Sequence, residues 1–346
     1  MLADFGPKGY VVQRNNSRNM KARQQDSPAQ TAQVIVVSLN PTLDLILEVE
    51  DFQVGLHQLG RQLQRAPAGK GLNVSRTLNT LGVSSIITGF VGQESLAEFE
   101  QALLDTRITG EFFAVPGHTQ QNVTVIDPSR GTNTHIRQQG LKVTRQDLER
   151  MSNKLSLLAE KGKLVVFSGS LPLGLTSADL LRLLHICSQA GARTVVDSSP
   201  LALAAAVGEG LWLIKPNREE FAKLTSQADQ SLQQMVHSAG EFTDRVENVL
   251  ISLAEQGAML VNRQLAIRAY IDSSEPMAVL STVGSGDSLL GTFLAGIVQG
   301  QDVQDCLSLA VAVSWAACQT SAPASFEMDI VERVRTKVRM EQLGGL

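Results

Sequence analysis

The chain has 346 residues, of which 43% are hydrophobic, and its formal net charge is −4. This is enough apolar sequence for a substantial buried core. The acidic balance, the lack of long Lys/Arg runs and an aromatic fraction of only 4% argue against a nucleic-acid partner. No apolar run approaches the roughly 20 residues of a membrane-spanning helix, so we expect no membrane partner either.

Residues 1–32 form a polar segment, rich in Gln, Asn and Arg, that we predict to be a disordered tail. The segment lacks the apolar centre of a secretory signal. The cysteines are widely separated and form no C-x-x-C pair, which is typical of reduced thiols in an intracellular protein. We therefore expect a cytoplasmic protein in which residues 33–346 form a single domain.

The ordered part begins with an apolar strand in "QVIVVSLN". Two later regions, at about 46–66 and 120–138, indicate short antiparallel strands and a hairpin that turns at "DPSRG". Together they predict a small sheet that projects from the main body. Such a sheet could serve as a lid over a ligand, as a dimerisation surface, or as both.

From Thr144 onward, amphipathic helices alternate with apolar strands. Thr144 and Asp147 are placed to cap the first of these helices, and the stripe Val331, Val334 and Val338 predicts the buried side of a C-terminal helix. This alternation predicts an α/β fold with a mostly parallel sheet that is covered by helices on both faces.

Most polar and glycine-rich motifs directly follow a predicted strand. They are "SLNPTLD", "FSGSLP", "VDSSP", "IKPNREE" and "ISLAEQG". Because ligands of such sheets bind beyond the carboxyl ends of the strands, we expect these motifs to share one ligand-binding edge.

The stretch "VGSGDSLLGTFLAG" predicts a glycine-rich turn that opens a helix. The backbone N–H groups of Gly284, Ser285 and Gly286, together with the helix dipole, would form an anion site. Asp287, in the first helical turn, would be held as a carboxylate that can accept a proton. An anion site beside a general base is what phosphoryl transfer to a hydroxyl requires.

Two other nucleotide-binding motifs are excluded by their spacing. The glycines from Gly284 to Gly291 miss the dinucleotide pattern G-x-G-x-x-G, and "AGKGLN" lacks the Ser or Thr and the upstream Gly of a P-loop. A simpler alternative stays open, because acidic residues are common in the first turn of a helix for electrostatic reasons alone.

A second glycine-rich turn, "AGKGLNVSRTLNTLG", also opens a helix. Asp44 and Asn73 together supply a carboxylate and an amide that suit a polyhydroxylated ligand. Asn217 and Glu220 lie at another predicted helix start. They could order a hydrated Mg²⁺, or they could simply be an N-cap residue and its capping-box partner.

These motifs resemble, in matching order, those of the ribokinase-like sugar kinases of the PfkB family. The resemblance covers roughly residues 34–320 and is greatest to the branch of 1-phosphofructokinases and tagatose-6-phosphate kinases. "LNPTLD" and "AGKGLNVSRTLNTLG" are similar to the N-terminal signature of the family, and "VGSGDSLLGTFLAG" to its C-terminal signature. The resemblance implies a three-layer α/β/α sandwich with a small β-sheet lid, ATP and Mg²⁺ as cofactors, and a homodimer formed through the lid.

The resemblance also implies a role for each matched position. Asp287 would be the catalytic base, Gly284, Ser285 and Gly286 the anion hole, and Asn217 and Glu220 the residues near Mg²⁺. The residues near the nucleotide would be Ser252, Ala254, Gly257, Lys215 and Asn217. The residues that hold the sugar would be Asp44, Gly69, Lys70, Asn73, Ser170, Gln120 and His135.

Gln120 and His135 are the main departures from the family pattern. Hexose-phosphate members carry Arg at the place of Gln120, where it binds the phosphate of the substrate, and His135 stands where a second basic residue is expected. A bidentate Arg–phosphate pair is not replaced by Gln without loss. The arginines that could compensate are Arg61, Arg65, Arg76 and Arg137.

The sequence therefore predicts an ATP-dependent kinase that phosphorylates a hydroxyl of a hexose phosphate, of the fructose 1-phosphate, tagatose 6-phosphate or fructose 6-phosphate type. Two alternatives stay open. One is a kinase of an unphosphorylated sugar, and the other is a catalytically silent, sugar-sensing relative.

Overall fold

The computed structural model describes residues 32–272 and 279–344. The segment predicted to be a disordered tail therefore lies outside the described residues, apart from Ala32. Within the described ranges the chain forms a large sheet of ten strands and a small sheet of four.

The strands and helices are numbered here in chain order. The strands are β1 (Val34–Ser38), β2 (Thr42–Glu48), β3 (Arg61–Ala68), β4 (Ser85–Gly92), β5 (Ile108–Val115), β6 (Gln120–Asp127), β7 (Thr132–Arg137), β8 (Leu164–Ser168), β9 (Arg193–Asp197), β10 (Leu211–Ile214), β11 (Val246–Ser252), β12 (Ala258–Asn262), β13 (Ala266–Ile271) and β14 (Val338–Gly344). The helices are α1 (Lys70–Thr80), α2 (Leu96–Gln101), α3 (Arg145–Leu158), α4 (Ser177–Gln189), α5 (Pro200–Ala206), α6 (Arg218–Thr225), α7 (Leu232–Gly240), α8 (Ser285–Val298), α9 (Val303–Ala317) and α10 (Met328–Arg335).

The large sheet has the strand order β14-β13-β12-β11-β10-β9-β8-β1-β4-β5. All strands from β11 to β5 in this order are parallel, whereas β12, β13 and β14 pair antiparallel. As a result, the segments that follow β1, β8, β9, β10 and β11 all leave the sheet at the same edge.

Helices cover both faces of the large sheet, as the alternation of the sequence predicts. In β1, Ile35 and Val37 face a core shared with α3, α4 and the helices α5 to α7. Val34 and Val36 point the other way, into a core built with α1, α8 and α9. Successive side chains of a strand point to opposite faces, so the apolar run of β1 serves both cores. The three-layer α/β/α architecture is confirmed.

The small sheet has the order β3-β2-β6-β7, in which β2 and β6 are parallel and the two outer pairs are antiparallel. It is held to the large sheet by Leu43 of β2, which packs with Val91 and Phe99. Its outer strands are largely exposed, and β7 is exposed along its whole length. The small sheet predicted from the sequence is therefore present.

The prediction of a C-terminal helix was wrong at its end. Val331 and Val334 are buried in α10 as expected, but that helix ends at Arg335 and Val338 begins β14. Val338 pairs with Ile271 of β13, whose backbone groups would otherwise lie at an open sheet edge. A spacing of three and four along the chain cannot reveal that a distant strand offers this edge.

Candidate active site

Helix α1 aligns polar side chains along one side. It begins at Lys70, after Gly69, whose φ of 113° is a conformation that L side chains rarely adopt. Lys70, Asn73 and Arg76 follow at intervals of three residues, a spacing that places side chains on the same side of a helix.

The two glycine-rich turns of the sequence meet in space. Asn73 Nδ2, on α1, donates a hydrogen bond of 2.8 Å to Asp287 Oδ2, on α8. Both side chains are buried. Asp287 lies in the first turn of α8, as the sequence predicts, and 214 positions separate it from Asn73 along the chain.

The start of α8 requires glycine. Gly284 has a φ of 81°, and a Cβ at this position would lie 2.7 Å from the backbone nitrogen of Ala324. The N–H group of Ser285 donates to the carbonyl of Thr282 at 3.3 Å. The helix leaves the N–H groups of Gly286 and Asp287 without an intrahelical acceptor, since these lie within its first turn. These donors point out of the end of the helix at which an anion is stabilised.

Asp287 is a stronger base than an ordinary aspartate. Burial, together with the nearby Asp197 carboxylate, raises the pKa of Asp287 to about 6. Lys70, the hydrogen bond from Asn73 and Lys215 act in the opposite direction. At neutral pH the side chain is therefore ionised, and it binds a proton more tightly than an exposed aspartate does.

Asp197, at the end of β9, is the centre of a charge cluster that consists of Lys70, Asp197, Lys215, Glu220 and Asp287. Asp197 is fully buried, and its Oδ1 lies 3.1 Å from Lys70 Nζ and 3.4 Å from Lys215 Nζ. Lys70 Nζ is also 4.0 Å from Glu220 Oε1. Burial lowers the pKa of Lys70, but the three carboxylates outweigh this effect and hold it above its ordinary value.

Lys215 joins the charge cluster to the start of α8. The residue follows β10 and is buried, and a Cβ built on Gly286 would lie 3.5 Å from Lys215 Nζ. An ammonium group therefore lies beside the open N–H groups of the helix. Positive charge and backbone donors at one point are suited to a phosphoryl group.

Asp197 belongs to the motif "VDSSP" but has no role among the sequence-based predictions. The available signal was a carboxylate directly after an apolar strand, at the predicted ligand-binding edge. Its partner Lys70 lies 127 positions away in sequence, so the ion pair was not visible before the fold was known.

The predicted nucleotide residues lie around the start of α6. Asn217 Oδ1 accepts from the backbone N–H of Glu220 at 2.8 Å, and Glu220 Oε2 accepts from the N–H of Asn217 at 2.9 Å. This is the capping box that the sequence left open as an alternative. The backbone of Asn217 also pairs with Ser252, after which the chain turns through Ala254 and Gly257 with positive φ values of 52° and 86°.

A second group of polar side chains connects the small sheet to the edge of the large sheet. Asn40 Nδ2 donates to Gln120 Oε1 at 2.9 Å and to Ser170 Oγ at 3.1 Å. Gln120 Nε2 donates to Asn122 Oδ1 at 3.1 Å, and Asn122 Nδ2 donates to Asp44 Oδ1 at 2.9 Å. We call Asn40, Gln120 and Asn122 the amide chain. It contains no charged group and ends on the Asp44 carboxylate.

Apart from the nucleotide residues at the start of α6, the predicted polar site residues fall into two groups and one outlier. The charge cluster with Asn73 forms the first group, and the amide chain with Asp44 and Ser170 forms the second. Arg76 lies on the same helix as Lys70 and Asn73, and its guanidinium interacts electrostatically with Asp44 of the second group. His135 is the outlier, since it is exposed on β7 and its Nδ1 contacts Thr124 Oγ1 at 3.0 Å.

Two absences concern residues 32–272 and 279–344, the part of the chain that the structure describes. No group of three or more His, Cys, Asp or Glu side chains in these ranges is arranged to hold a metal ion. In the same part of the chain, no helix has the length and apolar character needed to cross a membrane.

Comparison with known proteins gives a consistent result. Residues 32–329 match the model of the pfkB family of carbohydrate kinases. The chain is 30% identical to the 1-phosphofructokinase of Haemophilus influenzae over 91% of this chain and 100% of that protein. It is 27% identical to the tagatose-6-phosphate kinase of Staphylococcus epidermidis over 80% of this chain and 89% of that protein.

The fold is also found among solved structures. The phosphofructokinase-2 of Escherichia coli, in complex with substrates and products, superposes with a TM-score of 0.80 over 88% of this chain and 99% of that chain, at 24% sequence identity. The two glycine-rich turns meet in space, as described above. The three-layer fold, the match to the family model and the similarity to the curated relatives lead to the same family. The chain belongs to the pfkB family of carbohydrate kinases.

Proposed function

We propose that the protein transfers the terminal phosphoryl group of ATP to a hydroxyl of a hexose phosphate, with Asp287 as the general base. The observation that carries this proposal is the position of Asp287. It is a buried carboxylate at the N-terminus of α8, where a hydrogen bond from α1 and the charges of Lys70 and Lys215 meet. An acidic residue that served only to interact with the helix dipole would not need to be buried.

In the proposed reaction, Asp287 removes the proton of the acceptor hydroxyl while the hydroxyl oxygen attacks the terminal phosphorus of ATP. The bond from that phosphorus to the bridging oxygen breaks, and ADP leaves. The open N–H groups of Gly286 and Asp287 and the ammonium group of Lys215 stabilise the charge on the transferred group. The raised pKa of Asp287 suits this role, because the side chain is ionised yet basic near pH 7.

The turn from Ser252 to Gly257 is the proposed nucleotide side of the site, since it lies next to the start of α6. The residues there fit a hydrated Mg²⁺. Glu220 uses Oε2 in the capping box and keeps Oε1 outside it, and Mg²⁺ in phosphoryl-transfer enzymes is commonly bound by one or two carboxylates, water and substrate phosphates. Glu220 and Asn217 would hold the ion, which would supply positive charge to the nucleotide phosphates.

The proposed acceptor class follows from the relatives. The names of the two curated relatives, 1-phosphofructokinase and tagatose-6-phosphate kinase, describe kinases of sugar phosphates. In this chain Asp44 would bind sugar hydroxyls at the end of the amide chain, with Ser170 beside Asn40 and with Gly69 and Lys70 at the start of α1.

Arg76 and Arg137 are the proposed ligands of the acceptor phosphate. Arg61 and Arg65 are less suited because each holds a carboxylate of its own, on Glu48 and Glu98 respectively. Arg76, on α1, donates from Nη2 to the carbonyl oxygen of Pro67 at 2.9 Å and interacts electrostatically with Asp44, and a guanidinium has further N–H donors for a phosphate. Arg137 is exposed and lies directly opposite Asn122 in the pairing of β6 with β7. Neither position repeats the one at which the family carries its arginine, which here is Gln120.

We also propose that residues 33–346 act as one kinase domain in which the small sheet is the lid and the contact surface of a homodimer. This part of the molecule exposes large apolar side chains, among them Val54 and Leu59, which are 94% and 96% exposed. Both lie in the loop that connects β2 to β3, and exposed apolar side chains in one region are typical of an interaction surface. A second copy of the chain is the occupant that we propose for it.

The test is an assay of ADP release over fructose 1-phosphate, fructose 6-phosphate, tagatose 6-phosphate and the free hexoses. We expect turnover with one of the sugar phosphates and a loss of about 1,000-fold in the Asp287→Asn variant, the range in which positioned bases contribute. The matched control is Asp305→Asn, because Asp305 also lies in the first turn of a helix, α9, but is exposed. This variant should keep full turnover.

Each other outcome of the assay is informative. Full turnover in the Asp287→Asn variant would contradict the assignment of the base. A preference for free hexoses would identify a kinase of unphosphorylated sugars. Sugar binding without release of ADP, measured by calorimetry on the same protein, would identify a silent sensor.

A further inference from the structure

Asn73 uses the two ends of its amide in different ways. Its Nδ2 donates to Asp287 Oδ2 at 2.8 Å, in a buried contact. An ionised carboxylate only accepts hydrogen bonds, so the amide nitrogen must face Asp287 and the amide oxygen must face away. The orientation of Asn73 is therefore fixed by its chemistry as well as by its packing.

The amide oxygen of Asn73 has unused capacity to accept a hydrogen bond. Its Oδ1 is buried, and it has no hydrogen-bond partner among the described residues. Buried polar atoms are rarely left unpaired in folded proteins, so this oxygen is suited to accept a hydrogen bond from a bound ligand. A hydroxyl of the acceptor sugar is a donor of the right kind, and the substrate would then satisfy this oxygen on binding.

The packing of the two helices makes the contact between Asn73 and Asp287 rigid. A Cβ built on Gly291 of α8 would lie 2.7 Å from Thr77 Cβ and 3.0 Å from the carbonyl oxygen of Val74, both on α1. The two backbones therefore approach closely through this glycine. Because the helices cannot move closer, the separation of the amide from the carboxylate is set by the fold.

We propose that Asn73 is a positioning residue for Asp287, in addition to any contact that it makes with the sugar. Its Nδ2 holds Oδ2 of the carboxylate so that Oδ1 faces the acceptor hydroxyl, and its own Oδ1 receives a neighbouring hydroxyl of the same sugar. One side chain thus aligns the base and the group that it deprotonates. The inference rests on the proposed role of Asp287 as the base.

The charges that surround Asp287 come from several elements. Asp197 of β9 disfavours the ionised form of Asp287, whereas Lys70 of α1 and Lys215 after β10 favour it. Glu220 of α6 acts less directly, through its contact with Lys70. The hydrogen bond from Asn73 adds to the two lysines, so its removal should favour the protonated, inactive form of Asp287.

The experiment measures turnover against pH for the wild type and for Asn73→Ala and Asn73→Ser. We expect kcat near pH 7.5 to fall about 30-fold and the midpoint of its acid limb to rise by about one pH unit, because the acid limb of kcat reports the base in the substrate complex. The matched control is Asn79→Ala. Asn79 lies further along α1 and accepts a hydrogen bond from the N–H of Arg107, outside the site. The acid limb of the kcat–pH profile of the Asn79→Ala variant should stay at the wild-type position.

A residue that only binds sugar would behave differently. It would raise KM and leave both kcat and the position of the acid limb unchanged, and this result in a folded Asn73 variant would overturn the inference. Thermal unfolding identifies any variant that does not fold, and the serine variant retains a polar group if the alanine variant is too unstable.

A second measurement does not depend on turnover. The pH dependence of the unfolding midpoint is recorded for Asn73→Ala in the wild-type background and in the Asp287→Asn background. We expect the alanine substitution to alter that dependence only where Asp287 is present, and equal effects in both backgrounds would overturn the inference. This readout stays valid if the Asp287→Asn variant is active, an outcome that would contradict the proposed function and not the contact between the two side chains.

Discussion

The charge cluster beneath α8 and the amide chain of the small sheet are two polar regions with opposite properties. In the charge cluster, the side chains of Asp197, Asp287 and Lys215 are all buried. In the amide chain, neutral side chains share hydrogen bonds beside a strand, β7, that is exposed along its whole length. The first region consists of charges that are mostly removed from water, with the Lys70 side chain 40% exposed, and the second consists of neutral dipoles that extend from the buried Asn40 toward an exposed strand.

Under the proposed function, this difference separates catalysis from recognition. Interactions between charges are strong where water is excluded and are screened where it is not. Substitutions in the charge cluster should therefore change folding free energy and chemistry together. Substitutions in the amide chain should change the affinity for the acceptor and leave the rest intact.

The largest effect is expected for Asp197→Asn. This change leaves the buried ammonium group of Lys215 without the carboxylate that lies 3.4 Å from it, and removing one partner of a buried ion pair typically costs about 3–5 kcal/mol. We expect a loss of at least about 3 kcal/mol in the free energy of unfolding, measured with urea at pH 7.5. The control is Glu149→Gln, which breaks an exposed pair with Arg182 and should leave the free energy of unfolding unchanged. Equal losses in the two variants would show that burial does not distinguish the charge cluster.

Asp287→Asn is expected to have an intermediate effect of opposite sign, that is, to increase the free energy of unfolding. The pKa of Asp287 is raised to about 6 in the folded protein, against roughly 4 in an unfolded chain. Below about pH 4 the side chain is protonated in both states and has no effect. As the pH rises to 6, the Asp287 carboxyl releases its proton in the unfolded state before it does so in the folded state. The free energy of unfolding of the wild type therefore falls by up to about 3 kcal/mol, whereas that of the Asn variant does not.

The measurement is the free energy of unfolding of the Asp287→Asn variant and the wild type between pH 4 and pH 8. The variant should become progressively more stable than the wild type up to about pH 6.5, and the difference should then stay constant. A difference that does not change with pH would show that the Asp287 carboxyl has an ordinary pKa in the folded protein.

The smallest effect is expected for Asn122→Ala in the amide chain. This change removes the 2.9 Å hydrogen bond to Asp44, and we expect KM for the sugar to rise about 10-fold while kcat changes less than about twofold. The change also removes the hydrogen bond that Asn122 Oδ1 accepts from Gln120, so the free energy of unfolding should fall by about 1–2 kcal/mol, at roughly 1 kcal/mol for each hydrogen bond. Asn133→Ala, at an exposed position of β7, is the control and should leave KM unchanged. A larger fall in kcat than rise in KM would place the amide chain in catalysis.

The sequence was a good guide to elements whose signals are local. The capping pair of Thr144 and Asp147 is a complete capping box at the start of α3, and the apolar run of β1 lies in the centre of the large sheet. The carboxyl-end motifs also gather at one edge, because parallel strands leave them no other place. Such features depend on a few neighbouring residues or on strand direction alone.

What the sequence could not show depends on contacts between distant parts of the chain. Asp197 acquires its importance from Lys70 and Lys215, which reach it from α1 and from the end of β10. The spacing of Val338 from Val331 and Val334 fits a helix, but Val338 pairs with the edge strand β13 and belongs to a strand. Asn73 was recognised as polar and well placed, but its partner Asp287 lies on another helix.

Helix α1 sets the relative positions of several side chains in the candidate site. Lys70, Asn73 and Arg76 lie within about two turns of this helix and interact with Asp197, Asp287 and Asp44 respectively, so a shift or rotation of the helix would disturb all three interactions at once. Its geometry is thus hard to change gradually. Under the proposed function, acceptor preference is more readily changed on strand β7, which is exposed along its whole length.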